Sequence, residues 1–163
     1  MSAKIRILLT KAIVVSGMIW CPPWAVVSEE SIGQMQAAYA ELSRLQALST
    51  PGLTYQNYRE AVTRAREEVA LLRDESNEGD RLLRSVMAYH EQALAVWKLQ
   101  ADSDAAVDSL RNDEAVGAAI VAQCPDVPRF HYKWREQIYV QDAVACLWNK
   151  AAEELRKVPG HLY

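Results

Sequence analysis

Thr54-Tyr55-Gln56-Asn57-Tyr58-Arg59-Glu60-Ala61-Val62-Thr63-Arg64-Ala65-Arg66-Glu67-Glu68-Val69-Ala70-Leu71-Leu72 decides the fold class. Its apolar members Tyr55, Tyr58, Val62, Ala65, Val69 and Leu72 recur at alternating spacings of three and four. That rhythm lines them along one face of a 3.6-residue helix, with the arginines and glutamates turned away. Thr54 stands where an N-cap is wanted, because its hydroxyl can accept from a backbone N–H that the first helical turn leaves without a partner. Glu60 and Arg64 add an i, i+4 pair in the favoured order, worth about 0.2–0.5 kcal/mol.

The same rhythm extends outward in both directions. Ile32, Met35, Tyr39 and Leu42 form a stripe before this segment, and Val86, His90, Ala93 and Trp97 form one after it. A fourth joins Ala145, Trp148, Ala152 and Leu155, with Glu153 and Lys157 as a second i, i+4 pair. Glycine and proline gather between the stripes, at 49–52, 74–79, 124–128 and 159–160, where turns belong. No segment alternates with period two for long enough to indicate a sheet. The sequence therefore predicts an all-α fold, an antiparallel bundle of about four main helices. An irregular stretch over 102–112, a short extra helix over 113–123 and a cysteine-linked C-terminal segment complete it.

Gly52-Leu53-Thr54-Tyr55-Gln56-Asn57-Tyr58, followed by Ala61, Ala65 and Glu68, resembles a Tyr-x-x-Tyr helix start found in exported helical proteins of bacteria that have no assigned function. The resemblance covers the middle third of the chain. It implies export and helicity and carries over no catalytic residue. Both tyrosines read as rings packed at a helix start with their hydroxyls reaching water.

The N-terminus reports a destination. Lys4, Arg6 and Lys11 precede the nine-residue apolar run 12–20, and Cys21-Pro22-Pro23-Trp24-Ala25-Val26-Val27-Ser28 follows. A basic end, a short apolar core, helix-breaking prolines and then small residues are the layout of a secretory signal peptide. Cleavage is expected after Ser28, with Ala25 the next choice. The alternatives are an anchor kept in place, for which 12–28 is short and proline-broken, and lipidation at Cys21, which Trp20 disfavours. Residues 29–163 would then form one helical domain in the periplasm or cell envelope, without a membrane span of its own.

Losing the leader removes three cations and no acid, which moves the net charge from −3 to −6. Nucleic acid and anionic membrane surfaces call for a basic footprint, so this balance argues against both as partners.

Familiar chemical motifs fail one by one. His90, His131 and His161 are far apart, and none pairs at helical spacing with another histidine or with an upstream glutamate. The Glu-x-x-His and His-Glu-x-x-His metal patterns are therefore missing, as is Cys-x-x-Cys-His for covalent haem. Asp102, Asp104 and Asp108 mimic a calcium loop, but Ala106, Val107 and Asp113 fall where an oxygen ligand, Gly and Glu are required. Starting at Asp74 places Gly79 correctly and puts Ser85 where the bidentate Glu belongs. No Gly-x-Ser-x-Gly elbow is present. Asp142 lies between Val140 and Ala143 and reads as a carboxylate facing water or a cation. His90 reads as a satisfied histidine at the edge of the core. No catalytic residue, cofactor or metal ligand is assigned.

One cluster suggests recognition. Phe130, His131, Tyr132, Trp134, Tyr139 and Trp148 crowd the C-terminal third, with Arg129, Lys133 and Arg135 interleaved. Trp97, Tyr132, Trp134 and Trp148 are the residues expected to line a ligand or partner cleft, or else to fill the core. Two functions follow. One is a non-enzymatic envelope protein that binds another protein or its own copy, or serves a structural role. The other is a periplasmic small-molecule binder with an aromatic cleft around Trp134.

Once the leader is gone, Cys124 and Cys146 are the two remaining thiols, and an oxidising compartment pairs them. A helix starting at Phe130 would carry Cys146 about 24 Å away from Cys124. Pairing therefore requires 124–133 to run back, largely extended, along a last helix that starts near Trp134. Such a strap would press Phe130 and Tyr132 onto the bundle.

Overall fold

The computed structural model describes residues 29–50, 52–102 and 108–162. The leader, its cleavage positions and Cys21 lie outside the described residues, as do Asp104, Ala106 and Val107.

Four long helices dominate: α1 (Glu29–Leu48), α2 (Tyr55–Ala70), α3 (Glu78–Ala101) and α5 (Val140–Leu155). The decisive stripe behaves as its spacing predicts. Tyr58, Val62, Ala65, Val69 and Leu72 are buried, and Thr54 caps α2 by accepting from the Asn57 N–H at 3.3 Å. The cap of α3 is Asn77, whose side chain accepts from the Gly79 N–H at 2.7 Å. Helix α3 packs most extensively on α5, and α2 lies against both α1 and α3. The two ends of α3 give the direction: Trp97 and Gln100 near its C-terminus lie by Val140 and Gln141 at the start of α5, while Gly79 at its N-terminus lies by His161 beyond the end of α5. The pair is therefore antiparallel.

The fourth stripe is displaced. In α5 the buried face is Val140, Ala143, Val144, Leu147, Ala151 and Leu155; Ala145 is exposed, and Trp148 and Ala152 sit half-buried on the flank. Leu147 and Ala151 are fully buried, and the bulky Trp148 packs on Trp97 of α3 and on Tyr58 of α2.

The chain is mostly helical, but the all-α expectation needs an amendment. Strands β1 (Ser109–Arg111), β2 (Arg129–Tyr132) and β3 (Arg135–Tyr139) form an antiparallel sheet in the order β1-β3-β2. The sheet escapes periodicity for a physical reason. The strands have three, four and five residues, and β2 is exposed along most of its length, so it shows no apolar alternation. The short helix expected over 113–123 is present as α4 (Ala115–Gln123). Gly117 lets α4 seat on the end of β1, because a Cβ there would come within 2.1 Å of the Arg111 carbonyl oxygen.

Cys124 and Cys146 stand at disulfide distance, S–S 2.03 Å with Cα atoms 6.4 Å apart. The path between them is not a single extended strap. A hairpin, β2–β3, makes the return, and α5 starts at Val140 instead of near Trp134. That later start puts Cys146 only about 9 Å along its helix, close enough to meet Cys124.

Candidate functional site

Two aromatic sites take the place of the one expected. Trp97 and Trp148 meet each other, with ring centroids 5.9 Å apart, whereas Tyr132 and Trp134 occupy the β2–β3 hairpin.

The first site is floored by a buried network. Tyr58 is fully buried and lies 5.6 Å from Trp97 and 5.5 Å from Trp148 between ring centroids. Its hydroxyl accepts from Trp148 Nε1 at 2.9 Å, lies 2.9 Å from His90 Nδ1 and is 3.2 Å from the His90 carbonyl, to which it can donate. The hydroxyl does not reach water as expected; spacing shows that Tyr58 faces inward, but not that two polar partners from α3 and α5 await it there. Burial pushes the Tyr58 phenol up, and the Trp148 bond offsets this in part. His90 is likewise deeper than expected, at 0% exposure, and burial pushes its pKa down to about 4. Its Nε2 has no hydrogen-bond partner among the described residues. The imidazole is thus held neutral and only half satisfied.

Above this floor lies a cleft of about 380 Å³. Trp97 and Trp148 line it together with Leu53, Gln100, Gln141 and Asp142. Asp142 belongs to the first turn of α5, is half-buried, and has no ion-pair or hydrogen-bond partner among the described residues. Tyr55 closes on Trp97 from the start of α2, with centroids 6.1 Å apart.

The second site is the hairpin tip. Tyr132 pairs with Arg135, so the turn holds just two residues, Lys133 and Trp134. Their φ angles are +49° and +67°. Positive φ at both positions is what a type I′ turn demands, and such turns ordinarily use Asn-Gly or Asp-Gly. A lysine and a tryptophan placed there cost about 1–2 kcal/mol each from the Cβ clash with the following carbonyl. Trp134 is 101% exposed, Tyr132 is 55% exposed, and the Lys133 ammonium lies 5.1 Å from the Tyr132 ring centroid. The base of the hairpin is well held. Phe130 stacks on Tyr139 with centroids 4.3 Å apart, Ser109 Oγ donates to Gln137 at 2.6 Å, and Ile138 is buried. Arg129 and Arg135 are spoken for by Glu136 and Asp113, which leaves Lys133 as the tip cation without an acidic partner among the described residues.

His131 and His161 are exposed and stand on different elements, β2 and the final 3-10 turn Val158–His161. Asp74 organises its own loop, accepting from the Ser76 hydroxyl and from the Ser76 N–H, and this bonding holds its carboxyl below the usual range. Among the described residues no group of three or more His, Cys, Asp or Glu is placed to hold a metal ion, and no helix is long and apolar enough to cross a membrane. Comparison with protein-family models, with curated proteins and with solved structures finds no match.

Proposed function

We propose that this is an exported, non-enzymatic protein of the cell envelope that recognises a partner protein through the tip of its β2–β3 hairpin. The observation that carries this reading is Trp134, entirely exposed on left-handed backbone at the end of a braced arm. A turn is a cheap place for Asn-Gly and a costly one for Lys-Trp, so the strain points to a use for the indole outside the fold. Tryptophan is among the residues that most often anchor interfaces, because one rigid ring fills a socket with little loss of side-chain entropy. Lys133 adds a charge that suits a socket with an acidic rim. The basic, proline-broken leader and the paired cysteines support export to an oxidising compartment, as does the Tyr-x-x-Tyr resemblance.

The test places a photo-crosslinking amino acid at position 133 in the native host. A discrete adduct that disappears when Trp134→Ala is added supports the reading. The same adduct from a crosslinker at exposed Gln56 on α2, or one indifferent to Trp134→Ala, overturns it. So does Trp134-dependent co-sedimentation with anionic lipid vesicles, which would make the tip a membrane probe. Mass measurement of the isolated protein tests export: a mature N-terminus is expected between Val26 and Glu29, and an intact Met1 or a lipid mass on Cys21 contradicts it.

A further inference from the structure

The hairpin leaves the Trp97–Trp148 cleft without a role, and its chemistry is of a different kind. Two indoles form the floor, and their arrangement is fixed from beneath by Tyr58, which holds Trp148 by its Nε1. The volume, about 380 Å³, falls in the range of sites that enclose small organic ligands. Thr50 lines one edge of the cleft, and the remaining polar groups come from α3 and the start of α5. Gln100 and Gln141 supply carboxamides, Asp142 supplies an unpartnered carboxylate, and Asp108 stands just beyond, in an adjoining depression that shares Gln100, Gln141 and Asp142. Asp108 accepts from Gln100 Nε2 at 3.1 Å, a neutral donor, so its charge is also uncompensated there.

The start of α5 works against this charge, since a helix N-terminus carries about half a positive charge. Two full carboxylates outweigh it. Among the described residues no lysine or arginine lines the cleft or the depression beside it; Lys150, about two turns along α5, lines a separate depression on the other side of Asp142. The local field is therefore negative over an aromatic floor, the pairing that favours a cation with a flat apolar body: the ring faces attract the charge, and the carboxylate hydrogen-bonds it. An anion would meet Asp142 unscreened, and a neutral aromatic would leave it unpaired.

We infer that the Trp97–Trp148 cleft binds a small aromatic or alkyl ammonium ion, with its apolar body on the two indoles and its ammonium on Asp142. The site is separate from the hairpin tip and needs no partner protein.

Indole N–H resonances of the oxidised mature chain report on it directly, because that chain carries three tryptophans, Trp97, Trp134 and Trp148. Titration compares phenethylamine, 2-phenylethanol and phenylacetate, which share a ring and differ in charge. Phenethylamine is expected to move the Trp97 and Trp148 signals and leave Trp134 in place, with the other two binding roughly tenfold more weakly or worse. Asp142→Asn should bring phenethylamine down to the level of 2-phenylethanol. Equal binding of all three, no movement of Trp97 and Trp148 at millimolar phenethylamine, or an unchanged affinity in a folded Asp142→Asn variant overturns the proposal. The three-ligand comparison on the unaltered chain decides the matter if that variant does not fold, and the immobile Trp134 keeps the result independent of the hairpin test.

Discussion

The Tyr58 network and the Trp134 hairpin tip are both aromatic, and they obey opposite rules. Tyr58 is wholly buried, sits on a helical stripe and has its hydroxyl bonded from two other helices. Trp134 is wholly exposed, sits in a turn that disfavours it and touches no part of the core. Ring content alone does not tell a scaffold from a recognition element. What separates them is whether local preference and tertiary packing agree. They agree at Tyr58, and at Trp134 the backbone preference is overridden with no packing gained in return.

The largest effect that sharpens this contrast is at Tyr58. Tyr58→Ala should cost about 3–5 kcal/mol, as for other large buried rings. Tyr58→Phe keeps the ring and strands the Trp148 Nε1 donor, so about 1–3 kcal/mol is expected. Urea unfolding checks both. A loss near zero for Tyr58→Ala would remove the distinction between scaffold and tip.

Second in size is the crosslink. Cys124 and Cys146 close a loop of 22 residues, which stabilises by roughly 3 kcal/mol in the chain-entropy model. The double Cys124→Ala, Cys146→Ala variant should lose about that amount. Hydrogen exchange should rise first in β2 and β3, while amides of the α3–α5 seam stay protected. Uniform loss of protection would mean that the hairpin and the helices unfold as one unit.

How far the sequence revealed these two regions follows from the same contrast. The α2 stripe was legible because 3.6-residue spacing and burial coincide, from Tyr58 through to Leu72. The cysteine pairing was legible from the count and from an expected oxidising compartment, and the need for a returning segment followed from helix rise. The hairpin was not legible. Lys133-Trp134 carries none of the Asn or Gly that marks a two-residue turn, and β2 is too exposed to alternate. In α5 Leu155 is buried as its stripe predicts, but Ala145, Trp148 and Ala152 were each placed one position past the buried Val144, Leu147 and Ala151. Trp148 drew the reading toward a flank where its indole packs on Trp97 and Tyr58. Of the four cleft residues named, Trp97 and Trp148 share a cleft, while Tyr132 and Trp134 stand on the hairpin. No local pattern encodes which aromatics from α3, α5 and a hairpin will meet.

Third comes pH. His90 titrates near 6.5 in the unfolded chain and at about 4 when folded, so between these values the unfolded state binds the extra proton. The stability that depends on neutral His90 is thus complete above about pH 6.5 and is lost as pH falls through 4. About 2 kcal/mol should disappear between pH 7 and pH 5. Buried Asp80 pulls the other way: burial raises its folded pKa, so its contribution improves as pH falls. Comparing the unaltered chain with His90→Asn, whose carboxamide can donate to or accept from Tyr58, isolates the histidine. Identical pH slopes in the two proteins would show that His90 is reached by water.

The smallest effect tests the strained tip itself and has the opposite sign to all the others. Replacing Lys133-Trp134 by Asn-Gly gives the turn the residues its backbone already fits; with the Cβ that Asn keeps and the chain entropy that Gly loses set against the relief, stability should rise by about 1–2 kcal/mol. Trp134→Ala alone should leave stability within about 0.5 kcal/mol, since the exposed indole packs on nothing. Both changes should abolish the crosslinked adduct from the hairpin. A more stable protein that has lost its partner is the signature of a tip whose strain serves recognition. If Asn-Gly instead destabilises the chain, Trp134 contributes packing in solution that its exposure conceals, and the hairpin then belongs with Tyr58 as scaffold.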